Sequence, residues 1–169
     1  MPLHQINVGH VPDQDRLLVR ISTTERIEYR FWLTRHLVRG LWDGIVQRMQ
    51  HAEPVRQQAQ QQSRAAVLGF QHERAVSEST FGNAYDNDEL SPALPGDPPL
   101  IVSVKLGAST AGGHALVFTP KAGAGITVQF NDRMLHAFSK LLRDAAGQAG
   151  WNLALKLPST PEPVSKLVN

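Results

Sequence analysis

The chain of 169 residues contains no cysteine. Disulfides, thiol nucleophiles and Cys-ligated zinc or iron–sulfur centres are therefore excluded, and the composition suits a reducing compartment. No stretch approaches the ~20 apolar residues that a membrane-spanning helix needs. The opening MPLHQINVGHVPDQDR has neither a basic n-region nor an apolar h-region, so no secretory signal is expected and a cytoplasmic location is. The net charge of +2 is too small by itself to point to nucleic acid.

Recognisable catalytic and metal motifs are lacking too. His4, His10, His36, His51, His72, His114 and His136 show no H-E-x-x-H pairing or other metal-ligand spacing. His72 and Glu73 are sequence neighbours and would lie on different faces of a helix. Asp86-Asn87-Asp88-Glu89 offers at most three carboxylates and no calcium-loop spacing, so a solvated acidic loop is the simpler reading. The glycine-rich stretches GASTAGG, 107–113, and KAGAG, 121–125, lack the Gly-Lys-Ser/Thr ending of a P-loop. Hairpin turns explain them better. There is no G-x-S-x-G elbow. No metal or cofactor is expected, and nothing points positively to an enzyme.

What is present is a strong secondary-structure pattern. Leu17, Val19 and Ile21 alternate with Leu18 and Arg20, and Ile27, Tyr29, Phe31 and Leu33 alternate with Glu28, Arg30 and Trp32. These are two strands, joined by a hairpin loop at Ser22-Thr23-Thr24-Glu25. Ile6 to Val11 reads as an edge strand ended by Pro12. Thr34 is a helix N-cap, and Leu37, Leu41, Ile45 and Met49, with Val38 and Trp42, form the apolar stripe of the helix that follows. A second, long and mostly polar helix is expected from Pro54 towards Val76, with a thin stripe of Val55, Ala59, Ala66 and Phe70. Residues 81–98, rich in glycine, proline and asparagine, read as a connecting loop.

The second half repeats the plan. Strands are expected at Leu100–Leu106, His114–Thr119 and Ile126–Phe130, then a helix capped by Asn131-Asp132 with a stripe of Leu135, Phe138, Leu141, Leu142 and Ala145. A last strand is expected at Trp151–Leu157, and 158–169 reads as a proline-containing flexible tail. Leu17-Leu18-Val19 matches Ala115-Leu116-Val117, with a one-residue slip before the next anchor. The expectation is one α+β domain over 1–157, with antiparallel sheets carrying helices on one face. It would comprise two β-β-β-α halves, about 1–80 and 99–157, plus an inserted polar helix.

Function is expected on the sheet faces turned from the core. Leu18, Arg20, Arg26, Glu28, Arg30 and Trp32 define one such face; Ile101, Ser103, Lys105, Leu116, Phe118, Thr127 and Gln129 define the other. Both are too apolar to stay bare. The chain's own long helix, a partner subunit or a ligand should cover them. Basic residues up to Arg74 are all arginine, which reflects either codon usage or surfaces built for bidentate contacts. The expected function is a non-catalytic protein–protein interaction or assembly factor, oligomeric, with Arg20, Arg30, Trp32, Arg56, Arg64 and Phe118 as partner-binding residues. One alternative is single-stranded nucleic-acid binding on the arginine and aromatic face. The doubled β-β-β-α plan resembles, at the level of fold, single-strand-binding proteins of the Whirly class, and that resemblance implies the same alternative. The other alternative is a small enzyme whose site converges from distant segments, at His36, His136 or the acidic loop.

Overall fold

The computed structural model describes residues 2–81 and 83–158. The expected tail, apart from Pro158, lies outside the described residues. The protein is α+β. Strands β1 (Leu3–Val11), β2 (Arg16–Thr23) and β3 (Ile27–Leu33) form an antiparallel meander, which leads into helix α1 (Arg35–Gln50). Two helices follow, α2 (Glu53–Arg56) and α3 (Gln61–Ser77). A two-residue strand β4 (Ser91–Pro92) runs parallel to the start of β3. A second antiparallel meander, β5 (Ile101–Ala108), β6 (His114–Pro120) and β7 (Ile126–Phe130), leads into helix α4 (Asp132–Gln148). The order strand, strand, strand, helix thus occurs twice. Among the described residues, no helix is long and apolar enough to cross a membrane.

Both long helices of these units start where a side chain can satisfy an orphan amide. Thr34 Oγ1 accepts from the Leu37 N–H at 3.3 Å, and Asn131 Oδ1 accepts from the Met134 N–H at 2.8 Å. The helices cross over between the units. α1 packs on β5, and α4 packs on β1 as well as on β7, α1 and α3. One hydrophobic core therefore draws on both sheets. Its centre is a ring contact between Phe31 of β3 and Phe118 of β6, with centroids 4.5 Å apart. A parallel bridge from Trp32 to Leu100 and a Trp32 N–H to Pro99 O bond of 2.9 Å carry the chain from the edge of the first sheet into β5.

Four expectations need correction. The long second helix is broken at 57–60. Val55 and Leu68 are both core residues, at 1% and 0% exposure. In one straight helix they would stand about 140° apart, so the break lets both turn inward. α3 then buries Leu68, His72 and Ala75 at helical spacing, while Ala59, Ala66 and Phe70, expected inward, are exposed.

On the second sheet, Leu116 and Phe118 are fully buried rather than outward, because they pair laterally with the core residues Val128 and Ile126. Ile101 is also buried, and Val102 is 52% exposed. A register irregularity between Ile101 and Ser103 switches the alternation there. Ser103, Lys105, Thr127 and Gln129 do face solvent.

The expected last strand is an irregular segment. Asn152 and Ala154 take left-handed φ of 51°, which ends any β run. The segment is pinned by Trp151 Nε1 donating to Asp15 Oδ1 (2.8 Å) and Trp42 Nε1 donating to Lys156 O (3.2 Å). Finally, Arg26 sits in the β2–β3 turn at φ 61° rather than in the strand. One glycine position is dictated by close approach: at Gly113, φ is +79° and a Cβ would lie 2.4 Å from the Phe130 carbonyl oxygen.

Candidate functional site

The outward face of the first sheet carries the expected residues, but the chain itself covers much of it. Arg20 and Arg30 stand directly opposite one another on β2 and β3. Like charges so placed repel. Glu28, on the same face, lies between them: Oε1 accepts from Arg20 Nε at 2.8 Å, and Oε2 is 3.5 Å from Arg30 Nε. Arg20 is further engaged by Asn87 Oδ1 at 2.6 Å and by the Tyr85 ring, 4.1 Å from its Cζ. Burial pushes the Tyr85 hydroxyl up to about 12. Arg26 binds Asp86 at 2.7 Å, and this ion pair holds the Asp86 carboxyl below its usual range. The Asp86 N–H donates to Gln5 Oε1. Pro92, Leu94, Pro98 and Pro99 gather around Glu28 and Arg30.

The segment expected to be a connecting loop is therefore the cover of this face. Its polar anchors, the Asp86 carboxylate on Arg26 and the uncharged Asn87 and Tyr85 on Arg20, complement the arginines, which explains why residues 85–99 settle there without apolar periodicity. Arg20 is committed to intramolecular partners, Arg30 and Trp32 are half-buried, and Phe118 is in the core. The structure does not bring these four together on an open surface. Phe118 is withdrawn as a contact residue for that reason.

Arg56 and Arg64 are brought together. They stand beside a groove of about 600 Å³ between the end of α1, α2 and the start of α3, with Pro158 at its margin. Val55 and Leu68 form its buried floor. Arg64 Nε donates to the Gln58 carbonyl at 2.7 Å, which closes the break between α2 and α3. Arg56 lies 3.8 Å from Glu53 with both side chains well exposed, a pairing worth little. Gln50, His51, Gln61 and Gln62 complete a rim without a carboxylate among the described residues. Helical propensity alone hides this groove, because it exists only where the helix breaks.

Sequence spacing also missed a histidine centre. Nδ1 of His72 on α3 lies 3.1 Å from Nδ1 of His136 on α4. His114, at the start of β6, holds Asp132 Oδ1 through Nε2 at 2.7 Å and receives Arg48 Nε at its Nδ1 at 3.3 Å. Only the packing of α3 on α4 brings residues so distant in sequence together, so local spacing carried no signal. Among the described residues, no group of three or more His, Cys, Asp or Glu could hold a metal ion.

Burial, and then the neighbouring His72, hold His136 down to about 4 from a usual 6.5; burial and then Arg143 lower His72 as well. Lys140 and His114 act in the same direction, whereas Glu73 and Asp132 oppose it. An unfolded chain therefore takes up these protons first as pH falls. Stability should be full above about 6.5, fall as pH drops towards about 4, and then lose this dependence. Urea midpoints measured across that range test it: His136→Leu should flatten the slope, and an unchanged slope would assign the acid sensitivity elsewhere. Asp15 and Asp86, both held below 3.8, act only at lower pH.

Neither protein-family models, nor curated proteins, nor solved structures show a significant match to this chain.

Proposed function

We propose that this chain is a non-catalytic, cytoplasmic protein-interaction or assembly module, and that it engages an acidic segment of a protein partner in the groove between α1, α2 and α3. The observation that carries this reading is the groove itself. Two exposed guanidiniums, Arg56 and Arg64, flank an apolar floor of Val55 and Leu68, and among the described residues no carboxylate stands on the lining. An acidic segment with apolar anchors complements both features. Helix-in-groove docking uses the same combination, and charge across a rim mainly governs encounter rate and salt dependence. The first-sheet face does not support the reading, because residues 85–99 occupy it. The single-strand alternative loses its stacking platform for the same reason, and no other observation favours it.

The test uses a labelled amphipathic peptide alternating Glu with Leu, a Gln-for-Glu version of it, and fluorescence anisotropy. The acidic peptide should bind, and added salt should weaken it. Arg56→Glu with Arg64→Glu should weaken it about tenfold further, as expected for two lost charge contacts. Both positions are exposed, so among the described residues the only intramolecular losses are the Arg64 bond to the Gln58 carbonyl and the exposed Arg56–Glu53 pair. Arg64→Gln with Arg56→Gln, compared at equal melting temperature, separates lost charge from a loosened helix break. Equal binding of the Gln version, or an unaffected double variant, would remove the proposal. Light scattering on the protein alone decides whether a second copy is the occupant; a dimer abolished by the double variant would replace the foreign partner with self-association.

A further inference from the structure

We propose that the cavity beside His136 is a binding site for a small organic monocarboxylate. The cavity, of about 180 Å³, opens where α1, α3, β6 and α4 meet. A dry cavity of about 150 Å³ accommodates a benzene ring, so the space suits a ligand of that order. Met49, Ala75 and Leu135 supply buried apolar wall. That is the environment for a hydrocarbon portion.

The polar groups point to the other end of the ligand. Most charges lining the cavity are already paired: Glu78 with Arg74 at 2.9 Å, and Asp132 with His114, whose second nitrogen receives Arg48. Two ionisable groups are left over, beside the uncharged Gln71 amide. Arg133 has no hydrogen bond or ion pair among the described residues. His136 is 5% exposed, its Nδ1 is committed to His72, and its Nε2 has no protein partner among the described residues.

The tautomer follows from the pair. One of the two facing Nδ1 atoms must donate. The Nε2 of His72 is buried without a partner, and an orphan lone pair there is less costly than an orphan N–H. His72 therefore donates from Nδ1 and keeps a bare Nε2. His136 accepts at Nδ1 and offers Nε2–H to the cavity. An N–H donor and a free guanidinium together suit one carboxylate, in charge-assisted contacts. A dianion would meet the carboxylates of Glu78 and Asp132 as well, which sets the class at a single negative charge. His136, held to about 4, is neutral at physiological pH and donates without adding charge.

Benzoate is the probe, titrated into the full chain while histidine side-chain and backbone 15N resonances are followed. Saturable shifts are expected at the His136 ring and at the Ala75 amide. Arg133→Gln, at an exposed position, should weaken binding about tenfold, the loss of one charge-assisted contact. His136→Leu should weaken it similarly. The Arg56→Glu, Arg64→Glu variant should bind benzoate normally, so failure here and failure of the groove reading are separate results. Absence of saturable shifts, equal binding of benzyl alcohol, equal binding of inorganic phosphate, or unchanged affinity in Arg133→Gln would each overturn the assignment.

Discussion

Phe31→Ala should lower the unfolding free energy by about 3–5 kcal/mol, enough to threaten folding of an ordinary domain. Phe31 is fully buried, and its ring meets Phe118 with an interplanar angle of 36°. Phe31 belongs to the first sheet and Phe118 to the second, so truncation opens a cavity where the two meet. Urea unfolding followed by tryptophan fluorescence measures the loss, since Trp42 and Trp151 are both buried reporters. Phe118→Ala should cost about as much, and the double variant should show a coupling of about 0.5–1.5 kcal/mol. A loss below ~1 kcal/mol with zero coupling would mean that the two meanders do not share a core.

Glu28→Ala should cost about 2 kcal/mol and loosen the segment over the first sheet. The Glu28 side chain is 7% exposed, and its carboxylate lies between two opposed arginines. Removing one partner of a fully buried ion pair costs about 3–5 kcal/mol. Here Arg20 and Arg30 are 23% and 38% exposed, and partial hydration reduces the loss. Hydrogen exchange should rise at 85–93, where Tyr85 and Asn87 bind Arg20 and where the Ala93 N–H donates to the Glu28 carbonyl. Glu28→Gln, which keeps an acceptor of the same size, should restore part of both effects. If exchange over 85–93 is unchanged in Glu28→Ala, then backbone bonds such as Ser91 N–H to Arg26 O hold the cover by themselves.

Local patterns read well wherever one face was apolar and the other polar. Leu17, Val19 and Ile21 against Arg20, the stripe Leu41–Ile45–Met49, and Asn131 as a cap all took the positions their spacing implied. Strand β6 defeated the same reasoning. In HALVFTP both alternate sets are largely apolar, so the pattern fixes no phase. Matching Leu116 to Leu18 then amounts to a one-residue slip, which reverses every side chain of the strand. That slip placed Phe118 on the surface when it lies at the centre of the core. The candidate sites were less legible than the fold. Arg56 and Arg64 were named, but as one polar face of an unbroken helix. His72, His114 and His136 showed no spacing because their partners lie on other elements.

By itself, the chain determined its elements and their order: two three-stranded meanders, each followed by a capped amphipathic helix. Those follow from side-chain periodicity and from hydrogen bonds between near neighbours, which act over a few residues. Packing decided the rest. The helix breaks because Val55 and Leu68 must both reach one core. Residues 85–99 close the first sheet because Tyr85 and Asn87 meet Arg20 and the Asp86 carboxylate meets Arg26. The histidine cavity exists because α3 lies against α4. Each depends on groups far apart in sequence, whose energies of contact no local window contains.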